Sequence, residues 1–552
     1  MARALAKVLV CLAIGGLAAA DGWAGLPAPP AFKWQRCPPA FCETGWYASP
    51  AAADVDGDGQ VDALWGGYTL MAVNGSTGAL EWHYAPVGGD RIWPDVALAD
   101  VSGDAHPEVI VSFYSELAVL LGSGTPLADW PTVPFASGEM RTLAVADLDG
   151  DHVPEILVAD AASTSLGQWT VLEPDTTLRP GWPRLQTASG AEGYAAGCYN
   201  ENLAVADLDG DGRGEIVASS DVHYLASFQD DGTPIAANRR FVTFAHPNPL
   251  WGQVNVNFDE AEDIQGYSDC AGPSDPRPNF ASSAPVIADL DGDGSLEIVV
   301  VGNFYDCSGS YTDLFEMPMI FERDRSRWAA GAFDWTVPPV PDGAAAPLSE
   351  DYSVIQNSQP NPVVADLDGD GQKEILFPSY DGRLHALWLD KTEHYAWPFV
   401  LDKGDHVIRY ASPPAVVDLD HDGKAEVIFT TWTQAGSNKA GELVILDYQG
   451  HLLGSVELPH AMGDTWGALA APTVANIDGD ADLEVLVGTA DAGLVAYDLP
   501  GTAGARVLWG TGRGSFARTG FVPEPEAGAG GTACALALAI LALRRRAVPR
   551  AG

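Results

Sequence analysis

One nine-residue acidic pattern occurs eight times in this chain. The copies begin at Asp54, Asp100, Asp147, Asp207, Asp289, Asp366, Asp418 and Asn476, at intervals of 46 to 82 residues. The fullest read DLDGDGRGE from Asp207, DLDGDGSLE from Asp289 and DLDGDGQKE from Asp366. Recurrence on this scale marks an array of supersecondary units, each of which buries its apolar surface only against its neighbours.

The flanks identify the unit. Ala284-Pro285-Val286-Ile287-Ala288 precedes the fifth loop and Ile298-Val299-Val300-Val301-Gly302 follows it. Such short, β-branched runs are strands, too short for helices. A third run follows, as in Gly382 to Trp388. A fourth ends in turn residues, with Trp-Pro at Trp130, Trp182 and Trp397. Four antiparallel strands per repeat, stacked radially, make a β-propeller blade. The expected fold is therefore all-β, a propeller spanning 46–521 with eight blades by loop count and seven as the alternative. Each blade reads as contiguous, the first within Tyr47 to Ala85 and the last within Ala471 to Trp509. Polar segments at about 245–281 and 303–358 read as insertions from blades four and five.

The loop chemistry points to a cation. Positions 1, 3 and 5 carry carboxylates, position 7 offers a backbone carbonyl, and position 9 is Asp or Glu. Carboxylates converging this closely repel one another unless a cation intervenes. A hard divalent ion with loose geometry fits, and outside the cell that ion is calcium. Glycines at positions 4 and 6 permit the tight turns that aim the oxygens inward. The acid at position 9 and the flanking strands exclude an EF-hand, which needs Glu at position 12 and flanking helices.

Strand–DxDGDGxxE–strand repeats resemble the FG-GAP/VCBS family, which includes the propeller of integrin α-chains. The resemblance implies calcium bound by each loop, up to eight ions. The implied ligands are Asp54, Asp56, Asp58 and Asp62; Asp147, Asp149, Asp151 and Glu155; Asp207, Asp209, Asp211 and Glu215. They continue with Asp289, Asp291, Asp293 and Glu297; Asp366, Asp368, Asp370 and Glu374; Asp418, Asp420, Asp422 and Glu426. Two loops depart from the pattern: Asp100, Ser102, Asp104 and Glu108, with Ala105 at position 6, and Asn476, Asp478, Asp480 and Glu484, with Ala481 there. These two are expected to bind weakly or stay empty.

Lys and Arg total 29 against 75 acids, for a net charge of −46. That balance excludes nucleic acid and anionic membrane surfaces as partners. The motif positions hold 30 of the 75 acids, so much of this charge is expected to be neutralised by metal. The ends read as addresses. Arg3, Lys7, the apolar run Val8 to Leu17 and Ala18-Ala19-Ala20 make a secretory signal over 1–20, followed by a leader over 21–45. Val522-Pro523-Glu524-Pro525, an apolar run from Ala533 to Leu543, then Arg544-Arg545-Arg546 resemble the PEP-CTERM sorting tail of Gram-negative bacteria. That tail, 522–552, implies transient membrane contact, processing by an exosortase and a place at the cell surface. Cys37 and Cys42 are spaced for a local disulfide, and Cys270 and Cys307 could join two insertions.

The sequence contains no G-x-S-x-G, no H-E-x-x-H and no phosphate-binding glycine loop. The acidic run Asn257 to Asp263 reads as a solvated loop, and His385 and His394 as strand decoration. The function expected is non-enzymatic: a secreted or surface-displayed, calcium-binding propeller for adhesion or recognition of an extracellular protein or glycan. Trp251, Tyr267, Tyr305 and Tyr311 in the insertions are the aromatic candidates for stacking on sugars. The alternative is a polysaccharide lyase on an eight-bladed calcium-binding propeller.

Overall fold

The computed structural model describes residues 26–522 apart from 27, 44, 87–89, 136–137, 162–167, 184–196, 220–223, 237–251, 254–276, 306–314, 337, 340–344, 350 and 461–466. The signal, most of the tail, Trp251, Tyr267, Tyr311, the Tyr305 side chain, Asn257 to Asp263, Cys270 and Cys307 lie outside the described residues.

The protein is all-β, built from many small antiparallel sheets. In each repeat the acidic loop joins the first strand of one sheet to its second. Ala51–Ala53 leads to Asp62–Gly66, and Val363–Ala365 leads to Glu374–Ser379. The register is the same throughout. The position-9 acid lies opposite the residue just before position 1, as in Asp62↔Ala53, Glu155↔Ala146, Glu297↔Ala288 and Glu484↔Ala475. That residue is Ala in seven repeats and Val417 in the other. A small cross-strand neighbour leaves room for a carboxylate that the strand pairing buries.

Second strands are buried on both faces; Glu108–Phe113 and Glu426–Thr433 have no exposed position. Consecutive sheets pack face to face, which is why these strands are near-continuous apolar runs rather than alternating ones. Val55, Leu64 and Ala72 of the first sheet pack against Leu98, Val109 and Leu120 of the second. Similar clusters join later neighbours, and Ala63, Trp65 and Met71 of the first sheet pack with Ile477, Leu486 and Leu494 of the eighth. Five tryptophans near the fourth-strand position reach over the next sheet. Each donates its indole N–H to a carbonyl in the turn after that sheet's third strand: Trp34 to Gly75 (2.6 Å), Trp130 to Pro174 (2.9 Å), Trp182 to Asp230 (3.2 Å), Trp335 to Leu389 (2.8 Å) and Trp397 to Tyr448 (3.0 Å).

Both ends of the described chain depart from the sequence expectation. The eighth sheet is not contiguous: its outer strand is Ala31–Arg36, antiparallel to Leu494–Leu499. Arg506–Trp509 instead pairs with Ala415–Asp418 of the seventh sheet. Residues 31–43 are thus part of the fold rather than a leader before it. The Cys37–Cys42 disulfide closes the turn after the first strand, with Cα atoms 4.7 Å apart. The Glu43 carboxylate then accepts Tyr68 N–H, Thr69 N–H and the Thr69 hydroxyl. The expected insertion at 303–358 is also shorter than its sequence suggests. Phe315–Phe321 is the third strand of the fifth sheet, with Pro318 opposite Val301. Pro318 disguised it, because proline inside a run argues against a strand.

After Trp509 the chain passes along the first strands of successive sheets. The carbonyls of Gly510, Phe516, Ala517, Thr519 and Gly520 accept N–H bonds from Val474, Leu98, Val145, Val205 and Ile287, first strands of the eighth, second, third, fourth and fifth sheets. Arg518, 1% exposed, donates to Val96 O, Pro50 O, Gly512 O and Thr511 Oγ1 and lies 3.4 Å from Asp95. Arg513 donates to Leu203 O and Pro285 O. The carbonyl ends these arginines cap would otherwise be buried without donors.

Candidate metal centres

Each acidic loop is shaped by its own side chains. In the fifth, Asp289 Oδ1 accepts Gly292 N–H (2.8 Å) and Asp289 Oδ2 accepts Gly294 N–H (2.9 Å). Asp291 Oδ1 accepts Asp293 N–H (3.3 Å), and Asp293 Oδ1 accepts Ser295 N–H (2.7 Å). Glu297 Oε2 accepts Leu290 N–H at position 2 (2.9 Å). The first and sixth loops repeat the scheme. Positions 4 and 6 are left-handed, at φ 77° and 89° for Gly292 and Gly294. His421 at position 4, and Ala105 and His152 at position 6, hold the same conformation at φ 64°, 74° and 72°. The eighth loop differs: neither Gly479 nor Ala481 is left-handed, and Asn476 Nδ2 donates to Asp480 O (2.7 Å).

This geometry brings the expected ligands together. Oxygens of Asp54, Asp56 and Asp58 lie within 4.8 Å of one another, as do those of Asp147, Asp149 and Asp151. So do those of Asp207, Asp209 and Glu215, of Asp289, Asp291 and Glu297, and of Asp366, Asp368 and Glu374. In the last three, the position-5 acids Asp211, Asp293 and Asp370 are exposed, while the position-9 acid is buried. Two loop oxygens, Asp368 Oδ1 in the sixth and Asp418 Oδ1 in the seventh, are buried without any hydrogen-bond partner, and Asp418 is only 5% exposed.

Position 9 feels the concentration of charge most. Burial, and then the neighbouring aspartates, push Glu374 up to about 9 and Glu297 and Glu426 to about 8. Burial, and then a hydrogen bond that protonated Asp62 donates to the Glu81 carboxylate, push Asp62 to about 8. A divalent cation held by hard oxygen donors would relieve that repulsion, and all-oxygen sets with flexible spacing suit calcium. The donor sets of the first, fifth, sixth and seventh loops fit such an ion.

Three loops have a cation of their own. Arg179 reaches Asp149 Oδ2 (2.9 Å) and Glu155 Oε1 (3.0 Å). Arg323 reaches Asp209 Oδ2 (2.5 Å) and Glu215 Oε1 (3.4 Å). Lys33, on the first strand, pairs with Asp478 Oδ2 and Glu484 Oε1. No motif announces these residues. Glu155 and Glu484 are still raised by burial, to about 7, with the neighbouring cation opposing the rise.

The two histidines weighed in the sequence sit in the sixth repeat. His385 is buried between Asp381 (3.1 Å) and Glu393 (2.9 Å) and stacks on Phe377. Burial lowers its pKa, but the two carboxylates more than offset this and push it to about 9. It is a cation at neutral pH. His394 stacks on Trp388 and bonds Asp390.

Residues 360–429 match the FG-GAP-like repeat family, a span that contains the sixth and seventh loops. The match supports an FG-GAP repeat protein. No curated protein sequence matches the chain. Among solved structures it is similar to the V. cholerae biofilm matrix protein Bap1, at 16% identity and TM-score 0.46, over 86% of this chain and 92% of that one. It is also similar to the exotype rhamnogalacturonan lyase YesX, at 15% identity and TM-score 0.47, over 84% of this chain and 75% of that one. A third is Saccharomyces cerevisiae Sqt1, at 10% identity and TM-score 0.48, over 86% of this chain and all of that one (100%). It is the chain's own small antiparallel sheets, each packed on the next, that make the fold propeller-like.

Proposed function

We propose that the chain is a closed propeller of eight blades, stabilised by calcium and displayed at the cell surface for adhesion or recognition of a protein or glycan. The observation that carries the calcium reading is the burial of Glu297, Glu374 and Glu426 among other carboxylates, with no Lys or Arg side chain among the described residues paired to them; Lys373 and Lys424 donate instead to the backbone carbonyls of Asp289 and Asp368. Eight blades are supported by the packing of the eighth sheet on the first. Recognition is assigned to the segment at about 245–281 and to the parts of 303–358 outside the Phe315–Phe321 strand. In the described part of the second, Tyr352 and Leu348 are exposed (66% and 50%). A cavity lined by Tyr47, Asp95, Glu201 and Arg513 has a volume of about 20 Å³. That is room for one water, and recognition on an outer surface needs no greater depth.

The calcium reading is tested by thermal melts of the secreted protein in chelator and in millimolar calcium. Calcium should raise the melting temperature, and identical curves would refute the reading. A glycan array with intact protein, and with the 254–276 segment replaced by a short linker, tests recognition. Unsaturated products from pectic polymers would favour the lyase instead. Sorting is tested by intact mass: we expect a mature chain that starts near Asp21 and lacks Arg544 to Arg546, and retention of these arginines would refute the sorting reading.

A further inference from the structure

The eight loops are not equivalent, and the difference lies outside the motif. In the third, fourth and eighth, a side chain from elsewhere in the chain bridges the same two atoms, Oδ2 of position 3 and Oε1 of position 9. The other oxygens of these groups are occupied by the loop itself. Position-3 Oδ1 accepts the position-5 N–H, as in Asp151 to Asp149 (3.2 Å) and Asp480 to Asp478 (2.8 Å). Position-9 Oε2 accepts the position-2 N–H, as in Leu148 to Glu155 (2.8 Å) and Ile477 to Glu484 (2.9 Å). The bridged atoms are therefore the two that face the interior of the loop, where a metal would sit.

We infer that Arg179, Arg323 and Lys33 stand in for calcium in the third, fourth and eighth loops, so that the protein binds at most five ions rather than eight. This inference rests on the calcium reading above. The three cations come from unrelated places: the segment after Trp169–Leu172 of the same sheet, the turn after Phe315–Phe321 of the next sheet, and the N-terminal strand. Arg179 cannot swing aside cheaply. It is buried, and it also holds Glu173 (3.1 Å) and Asp230 (3.1 Å). The guanidinium and a divalent ion cannot share the space between the two carboxylates, because like charges at that separation repel and the donor oxygens are already used. The eighth loop has in addition lost the left-handed turns of the others, and Asn476 turns an amide nitrogen into it. By contrast, among the described residues no Lys or Arg pairs with Asp62, Glu108, Glu297, Glu374 or Glu426. Glu81 and Glu322 add a further acid beside the first and fifth loops.

The test is a count of tightly bound calcium per chain, by metal analysis and native mass spectrometry on the full secreted protein. Five or fewer ions are expected, and six or more would overturn the inference while leaving the calcium reading intact. No bound calcium at all would instead overturn the calcium reading itself. Charge-removing variants give a second, independent readout. Arg323→Met and Arg179→Met, in loops that keep the left-handed turns, should each bind one ion more than wild type, and chelator should lower their melting temperatures more than it lowers that of wild type. Glu374→Gln should lose one ion and Glu155→Gln none. If Glu155→Gln loses an ion, or neither Met variant gains one, the inference fails.

Discussion

Replacing Arg518 by Met should cost about 4 kcal/mol. The guanidinium is fully buried and donates to three backbone carbonyls from two distant parts of the chain, Val96 O (2.7 Å), Pro50 O (3.0 Å) and Gly512 O (2.7 Å). It also faces Asp95, which is 1% exposed. Burial lowers the pKa of Arg518, and it lowers that of Arg513 to about 10, so Arg513 remains charged at neutral pH. Methionine keeps most of the apolar stem but leaves those carbonyls one donor short and Asp95 with a weaker counter-charge. Removing one partner of a buried pair costs about 3–5 kcal/mol, a large share of the ~5–15 kcal/mol that holds a domain together. Urea denaturation in saturating calcium would measure the loss. Asp95→Asn alone should cost less, because Asp95 also accepts Ser49 N–H (2.6 Å), a bond that Asn can keep through its carbonyl oxygen. The double variant should be less destabilised than the sum of the single ones, by about 1–3 kcal/mol. A loss under about 1 kcal/mol for Arg518→Met, or strict additivity, would refute the view that this arginine ties the C-terminal segment to the sheets.

Trp34→Phe, which removes the N–H donated to Gly75 and one of the two fused rings, should cost about 2 kcal/mol, and Trp34→Ala about 3–5 kcal/mol, both read from denaturation midpoints. His385 is raised to about 9 from an unfolded value near 6.5, so its contribution of about 3 kcal/mol is complete below pH ~6.5 and lost as pH climbs through ~9. Denaturation at pH 6 and pH 9 should show this loss in wild type and a smaller one in His385→Gln. Asp291→Ala should remove one calcium ion and leave the others in place, checked by metal analysis.

What the sequence made legible was local. The loop residues, the strands on either side and the hairpin register all follow from spacings of fewer than about ten residues. Burial of position 9 could have been suspected from the alanine that precedes seven of the eight loops. The long-range contacts were hidden because they join distant residues. Lys33 meets Glu484 across 451 positions, and Arg323 meets Glu215 across 108. One signal did exist for the N-terminal strand. Trp34 follows the same pattern as Trp130, Trp182 and Trp397, each reaching over a neighbouring sheet, but it lacks the proline that made those three conspicuous. The basic residues that enter the loops carry no spacing signature at all, since each arrives from a different element.

The pairing of Ala31–Arg36 with Leu494–Leu499 sets a timetable for the chain's birth. The first strand must wait for partners more than 450 residues later. At ~5–20 residues per second, that is roughly half a minute to a minute and a half of synthesis. During that interval Trp65 and Met71 lack the eighth-sheet neighbours that cover them, and the first strands of the second to fifth sheets lack the carbonyls of residues 516–520. Such long-range pairing is slow even once the chain is whole. A nascent chain halted before Thr473 would therefore be not a smaller version of this protein but one with apolar faces and unpaired amides on offer to whatever lies nearby.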